Sequence, residues 1–332
     1  MPKLLAAVFG RTETALAAAI IVTGVILSLS SPYFLTVPNL VNLVEAYSVT
    51  TILAAGVFVV LVSGGIDISF TATASATQYL AAYLVTSYSF PGPAALAIAA
   101  ALGVAMGCIN ALLTYYLRVV SIIVTIATSS IYYALLIYFT NATEIYNLPD
   151  WWSNRIALFR YVTVHGDVVK ITLPIVVVIA VIGLTQYLMT RTRIGRQVYA
   201  LGGNPEAASR VGIQVLRVQL FAYGYLGLLA AVAGFIQAGR VHQAVPTAMA
   251  GTELNVLAVA ILGGASLVGG IGSMGGVVLG VLFLAMLQNA LNLVGVSSYF
   301  FGVVIGLAIL VSVSMTGYAE MRARRRPAVG AR

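Results

Sequence analysis

The residues able to do chemistry in this chain are few, and most stand where water is scarce. Asp67 and Ser69 close the run Gly64-Gly65-Ile66-Asp67-Ile68-Ser69, while Asn110, Thr125, Gln288, Asn289 and Asn292 interrupt otherwise apolar stretches. A carboxylate at membrane depth is expensive, so it marks a functional position by default. It can equally cap a helix together with Ser69, with the paired glycines making the turn. Neutral amides and hydroxyls can bind the hydroxyls of a sugar, and they join helices to one another just as readily. Asp67, Ser69, Asn110, Thr125, Gln288 and Asn289 are therefore candidates for the lining of a solute path, and the structural reading stands beside it.

Other chemistries find no footing. Lys3 and Lys170 are the only lysines, so no G-x-x-x-x-G-K-[ST] phosphate loop exists in the chain. Neither a nucleophile elbow nor an HExxH motif occurs. His165 and His242 lie far apart, and Cys108 is the single cysteine, which leaves no basis for a metal cluster or an internal disulfide. No catalytic, cofactor-binding or metal-binding residue is expected. Uphill movement of a solute would then draw on a partner or an ion gradient.

The elements that hold these residues are membrane helices. Of 332 residues, 61% are apolar and 8% charged, and the mean hydropathy is +1.01, which points to an all-α membrane protein. Apolar runs fall at about 15–30, 48–64, 70–89, 93–117, 121–140, 170–190, 218–238, 254–268, 274–295 and 299–316. They make about ten transmembrane helices in one domain, 1–332. Each is near the ~20 residues that cross ~30 Å of hydrocarbon, except the short run at 254–268. The stretch 32–47 is too polar to cross and is expected at the far surface.

Charge orients the spans. The net charge of +8 marks orientation here and not a nucleic-acid partner. With both termini in the cytoplasm, the inner face receives Lys3, Arg11, Arg118, Arg191, Arg193, Arg196, Arg210, Arg217, Arg322, Arg324, Arg325, Arg326 and Arg332. The outer face receives Arg155, Arg160, Lys170 and Arg240. The outer loop, about 141–169, carries Tyr146, Trp151, Trp152 and Tyr161, suited to an interfacial belt or a docking surface.

Glycines speak to packing. Gly103/Gly107, Gly276/Gly280 and Gly302/Gly306 have the spacing that lets helix backbones approach closely. Between Gly263 and Gly276 half of the fourteen residues are glycine, read either as a broken helix beside a pathway or as a cytoplasmic turn. Ile109-Asn110-Ala111-Leu112 is echoed by Gln288-Asn289-Ala290-Leu291 on a span of opposite direction, the pattern of an inverted repeat.

The one long polar segment inside the apolar series is 191–217. Gly202 and Gly203 are read as breaking the chain there. Asn204 then caps a short helix with Pro205 at its first position and Glu206 in its first turn, running to Val211 and stopping at Gly212. A compact capped helix in a basic cytoplasmic loop reads either as an element held by something in the cytoplasm or as an ordinary well-capped loop.

The stretch Thr192-Arg193-Ile194-Gly195-Arg196 through Ala200-Leu201-Gly202-Gly203-Asn204-Pro205-Glu206-Ala207-Ala208 to Gly212-Ile213 resembles the coupling region of ribose/xylose/galactose-type ABC importer permeases. So do Gly64 to Ser69, Ile123-Val124-Thr125, and Ala258 to Ser266 with Gly269-Gly270; order and spacing agree from about residue 36 to 315. The chain departs from the pattern at Phe70-Thr71, where a small residue and glycine are usual, and at Arg118 to Ser121, where proline is. The resemblance implies a vitamin-importer-like (type II) ABC permease bundle. It implies as partners a second permease subunit (homo- or heterodimer), a periplasmic sugar-binding protein, membrane lipid, and an ATPase subunit that holds ATP and Mg. Gly203, Asn204, Pro205, Glu206, Ala207, Ala208 and Gly212 would then contact that ATPase, with Ala207 and Ala208 in its groove. The competing reading is an ion-coupled secondary transporter with Asp67 or Glu253 as the coupling carboxylate.

Overall fold

A computed structural model describes residues 11–152, 157–162 and 168–293, with positions 295, 300, 302–303, 306–307 and 310 beyond them. The expectations resting on Lys3, Arg155, His165, Arg322, Arg324, Arg325, Arg326 and Arg332, and most of the run 299–316, lie outside the described residues.

The described chain is a helical bundle. In order it runs α1 (Arg11–Ser30), α2 (Val37–Ala46), α3 (Ser48–Val62), α4 (Phe70–Tyr88), α5 (Gly92–Leu117), α6 (Ser121–Thr140), α7 (Leu173–Arg191), α8 (Arg193–Gly203), α9 (Pro205–Arg210), α10 (Val215–Val241), α11 (Glu253–Leu262) and α12 (Met274–Leu293). Six of these, α1, α5, α6, α7, α10 and α12, are long and apolar enough to cross a membrane, and a seventh crossing follows if the bent pair α2–α3 counts as one. The stretch 32–47 is thus not simply a polar surface segment: it contains a helix that meets α3 at a 50° bend. α4 has span length but falls short in hydropathy, because Thr71, Thr73, Ser75, Thr77 and Gln78 dilute it; all five are buried among neighbouring helices. α11 has only ten residues, ~15 Å of helix.

α3 is the axis of the bundle, buried along almost its whole length. It packs on α10, whose other faces meet α4 and α5. Glycine makes that contact possible. A β-carbon at Gly103 would overlap the carbonyl of Gly227, and one at Gly107 the carbonyl of Tyr223. The second pair behaves alike, with Gly276 against Gly263 and Gly280 against Val259. The third pair does not: nothing described lies within 4 Å of a β-carbon at Gly302 or Gly306.

The bundle has two distinct ends. α10, 27 residues and ~40 Å long, starts beside α8 and α9 and finishes at Arg240, whose Nη1 donates to the Ala46 carbonyl at 3.0 Å. That second end also holds the segment after α6. There β1 (Ile145–Tyr146) pairs antiparallel with β4 (Gln243–Ala244), and β2 (Ala157–Val162) forms a hairpin with β3 (Val168–Thr172). Tyr146 and Tyr161 are exposed there, as a belt or docking surface requires. Trp152 is not: it is buried, stacked at 4.2 Å on Phe235, with its Nε1 donating to the Phe235 carbonyl at 3.0 Å. Its role is to anchor the segment, not to belt the surface.

Candidate functional site

Between α3 and α4 the backbone unwinds over Ser63–Ser69; past the exposed Gly64 it is largely buried, and there each N–H and C=O needs a partner. α6 supplies two of them. Ser121 Oγ accepts from Ile66 N at 2.8 Å, and Thr125 Oγ1 accepts from Ile68 N and donates to the Ile66 carbonyl, both at 3.3 Å. Asp67 closes the turn from within. Its Oδ1 accepts from Ser69 N at 2.7 Å and from Ser69 Oγ at 2.8 Å. Asn110 Nδ2, on α5, donates to Asp67 Oδ2 at 3.2 Å and to Ser69 Oγ at 2.7 Å. Asp67, Ser69, Asn110 and Thr125 are thus one buried knot that welds the break between α3 and α4 to α5 and α6. Asp67 acts on the residue before the helix and not on the first turn of α4, and Ser69 makes no side-chain cap of its own. The two departures from the sequence pattern also have work: Thr71 donates to Glu253 Oε1 at 2.6 Å, and Ser121 holds Ile66.

Gln288 and Asn289 lie elsewhere. Asn289 exchanges reciprocal amide bonds with Asn39 on α2 at 3.1 and 3.3 Å, and Gln288 and Asn289 line a cavity of about 470 Å³ with Asn42 and Asn292. The six candidate lining residues therefore divide between a buried knot and an open cavity. The echoed asparagines 110 and 289 have different partners.

At the first end of the bundle, α8 begins on Thr192, whose Oγ1 accepts from Gly195 N at 3.2 Å and donates to the Leu188 carbonyl at 2.6 Å. Gly202 and Gly203 do not break it: α8 runs through both and ends because Asn204 turns extended, with φ −158° and ψ 100°. Asn204 Oδ1 then accepts from Ala207 N at 3.0 Å to start α9, and Gly212, at φ +84°, follows its end. Gly203, Asn204, Pro205, Glu206 and Ala207 are exposed, and Glu206 meets Arg210 at 3.8 Å across the open face. Ala208 is buried in the chain's own core, so it cannot share a partner's groove with Ala207; at helical spacing adjacent residues point 100° apart.

What lies under α8 is backbone against backbone. A β-carbon at Gly202 would overlap the Val62 carbonyl and approach Gly270 N. Gly270 N donates to that carbonyl at 2.9 Å; a β-carbon at Gly270 would sit 2.6 Å from Gly203 Cα, and one at Gly269 2.7 Å from Gly64 Cα. The glycine-rich stretch after α11 is thus a turn seated against the end of α3 and the end of α8, with Tyr199 Oη donating to the Gly272 carbonyl at 2.8 Å. Gly64, Gly269 and Gly270 have positive φ as well, so both backbone shape and space require glycine there. Sequence reasoning had Gly202 as a chain breaker and gave Ser121 no role; the partner-facing roles of both come from residues more than fifty positions away. Among the described residues no group of three or more His, Cys, Asp or Glu could hold a metal ion.

The chain's sequence is similar to those of known permeases. Residues 39–313 match the family described as branched-chain amino acid transport system / permease component. The chain belongs to that family. As a permease component it is not itself an enzyme. The ribose import permease protein RbsC of Escherichia coli K12 is 35% identical over 295 residues, covering 89% of this chain and 90% of that protein. Its counterpart from Bacillus subtilis is 34% identical over 289 residues (87% and 88%), and the D-allose transport system permease protein AlsC of E. coli K12 is 31% identical over 295 (89% and 88%). No solved structure matches.

Proposed function

We propose that the chain is the membrane subunit of an ATP-driven importer that carries a monosaccharide from periplasm to cytoplasm. Its relatives named for ribose import and for D-allose and xylose transport support the solute class. The observation that carries the mechanism is the seating of α9 and α8 on the glycine junction. An ATPase, holding ATP and Mg on its own chain, grips the exposed face of α9 from the cytoplasm. Displacement of α9 reaches Gly202 and Gly203, and through them the ends of α3 and the 263–273 turn, because contacts made by backbone have no side chain to absorb the motion. The Asp67 knot carries it on to α5 and α6. In this reading the end bearing α9 is cytoplasmic, as are both termini, and the end bearing Trp152 and the β2–β3 hairpin is periplasmic, where a sugar-binding protein delivers the solute. With the bent pair α2–α3, the more polar α4, the short α11 and the run 299–316 counted beside the six long helices, the bundle has about ten spans, in the type II arrangement with an inverted repeat, and works as a pair with a second permease subunit, identical or related.

An ion-coupled carrier fits Asp67 poorly. Its oxygens are already committed to Ser69 and Asn110, and it is buried. The deciding experiment is reconstitution of the purified chain with its ATPase and binding protein in sealed vesicles. Uptake of ribose, xylose or allose that requires ATP and survives an uncoupler is expected; uptake that needs no ATPase and collapses with the uncoupler would overturn the proposal.

A further inference from the structure

The cavity beside α12 has a lining that matches one chemical class. Ala285, Gln288, Asn289 and Asn292 fall at i, i+3, i+4 and i+7, so they form one face of α12, and that face turns toward the bend between α2 and α3. Opposite them stand Asn42, Tyr47 and Thr50. The volume, about 470 Å³, lies in the ~300–1,000 Å³ range of small-ligand sites. Carboxamides and hydroxyls both donate and accept, as sugar hydroxyls do, and each can bind either partner of a hydroxyl pair. Asn289 is held in place by its reciprocal bond with Asn39, whose second N–H is spent on the Phe34 carbonyl at 2.8 Å, and Asn289 keeps one free N–H and a free lone pair.

Charge separates this cavity from its neighbour. On the other side of α2 lies a cavity of about 480 Å³ that shares Asn42 but is lined by Glu45, Lys170 and Arg240. Among the described residues no acidic or basic side chain lines the α12 cavity. A charged solute would gain counter-charges in the first and lose hydration without compensation in the second. Asn42 and Asn292 are exposed at the cavity's rim, and amides in that position on membrane helices face water and not hydrocarbon.

We infer that the α12 cavity is a binding site for one uncharged polyhydroxylated solute, a free sugar of pentose or hexose size, with Gln288, Asn289, Asn42 and Thr50 as its hydrogen-bonding groups. The site deepens the sugar-permease reading and rests on it. Three measurements test it on the full complex in vesicles, with ribose, xylose and allose as probes. First, Asn42→Cys and Asn292→Cys should react with a membrane-impermeant thiol reagent from the Arg240 side, the parent with Cys108 alone serving as blank; failure of both to react overturns the site. Second, Gln288→Leu and Thr50→Val should lower uptake of the best probe at least tenfold while membrane level and ATPase co-purification stay at the parent's; uptake within twofold of the parent overturns it. Third, that probe should slow labelling of Asn292→Cys, and labelling indifferent to all three sugars overturns it. If the parent complex itself takes up none of the probes, the sugar reading fails, and thiol labelling still decides whether the cavity is an aqueous path.

Discussion

Gly202 lies so close to Val62 that a β-carbon at position 202 would overlap the Val62 carbonyl oxygen, the same oxygen that accepts from Gly270 N at 2.9 Å. Three separate chain segments therefore meet at one carbonyl. Two of them, α3 and the turn after α11, lead into the bundle, and the third leads to α9. A motion at α9 cannot pass this point without moving Val62.

Gly202→Ala tests the junction directly. Gly202 sits in ordinary helical backbone, so alanine adds no conformational strain and would by itself favour α8 by ~0.5–1 kcal/mol. The overlap with Val62 works the other way and costs ~1–3 kcal/mol, as overpacking does. The expected outcome is a chain that inserts but is less heat-stable, with transport reduced at least tenfold. Gly183→Ala is the control, since nothing lies within 4 Å of a β-carbon there. Equal transport by the two variants would mean the junction is slack.

The knot makes a second expectation. Asp67→Ala leaves Ser69 N–H and the Asn110 amide buried with fewer partners, and unsatisfied buried groups cost ~1–3 kcal/mol each. Asp67→Asn is milder, because its carbonyl still accepts from Ser69 while its NH₂ now opposes the Asn110 NH₂. The double change Asp67→Asn with Asn110→Asp restores a donor–acceptor pair and should recover more than half of the lost thermal stability. A double variant no more stable than Asp67→Asn alone would show that the two residues are not coupled.

The parts of this architecture that the sequence made legible are those whose cause is local. Asn204, Pro205 and Gly212 delimit α9 through neighbours within three residues, and the structure places the cap and the stop there. Gly103, Gly107, Gly276 and Gly280 were readable because helical spacing alone aligns them. Gly202 was misread because a glycine needed for close approach looks the same as one needed for a turn; only Val62, 140 positions earlier, distinguishes them. The run 70–89 is legible as α4, although its threonines and Gln78, buried by neighbouring helices, leave it less apolar than the six long spans. Trp152 looked like an interfacial residue until Phe235 covered it.

Orientation has a simple test. Ser209 is exposed on α9 and Tyr161 is exposed on the hairpin at the opposite end. In intact cells, with Cys108 alone as blank, an impermeant thiol reagent should label Tyr161→Cys and spare Ser209→Cys until the membrane is permeabilised. The reverse pattern would invert the bundle and place α9 out of reach of any cytoplasmic ATPase.

The last expectation separates two adjacent alanines that the sequence grouped together. Ala207 is exposed on α9, whereas Ala208 is packed into the core below it. Ala207→Trp adds bulk only to the outer face, so the chain should insert and melt like the parent, yet lose ATPase co-purification and transport. Ala208→Trp must displace core side chains at ~1–3 kcal/mol and should lower thermal stability even without the ATPase. Glu206→Ala removes an exposed pair with Arg210, worth ~0.2–0.5 kcal/mol to the helix, so any larger effect on ATPase association must come from a cation on the partner. An Ala207→Trp chain that still binds its ATPase and imports sugar would remove the outer face of α9 from the contact. The junction at Gly202 would then lack an input, and the coupling mechanism built on it would fail.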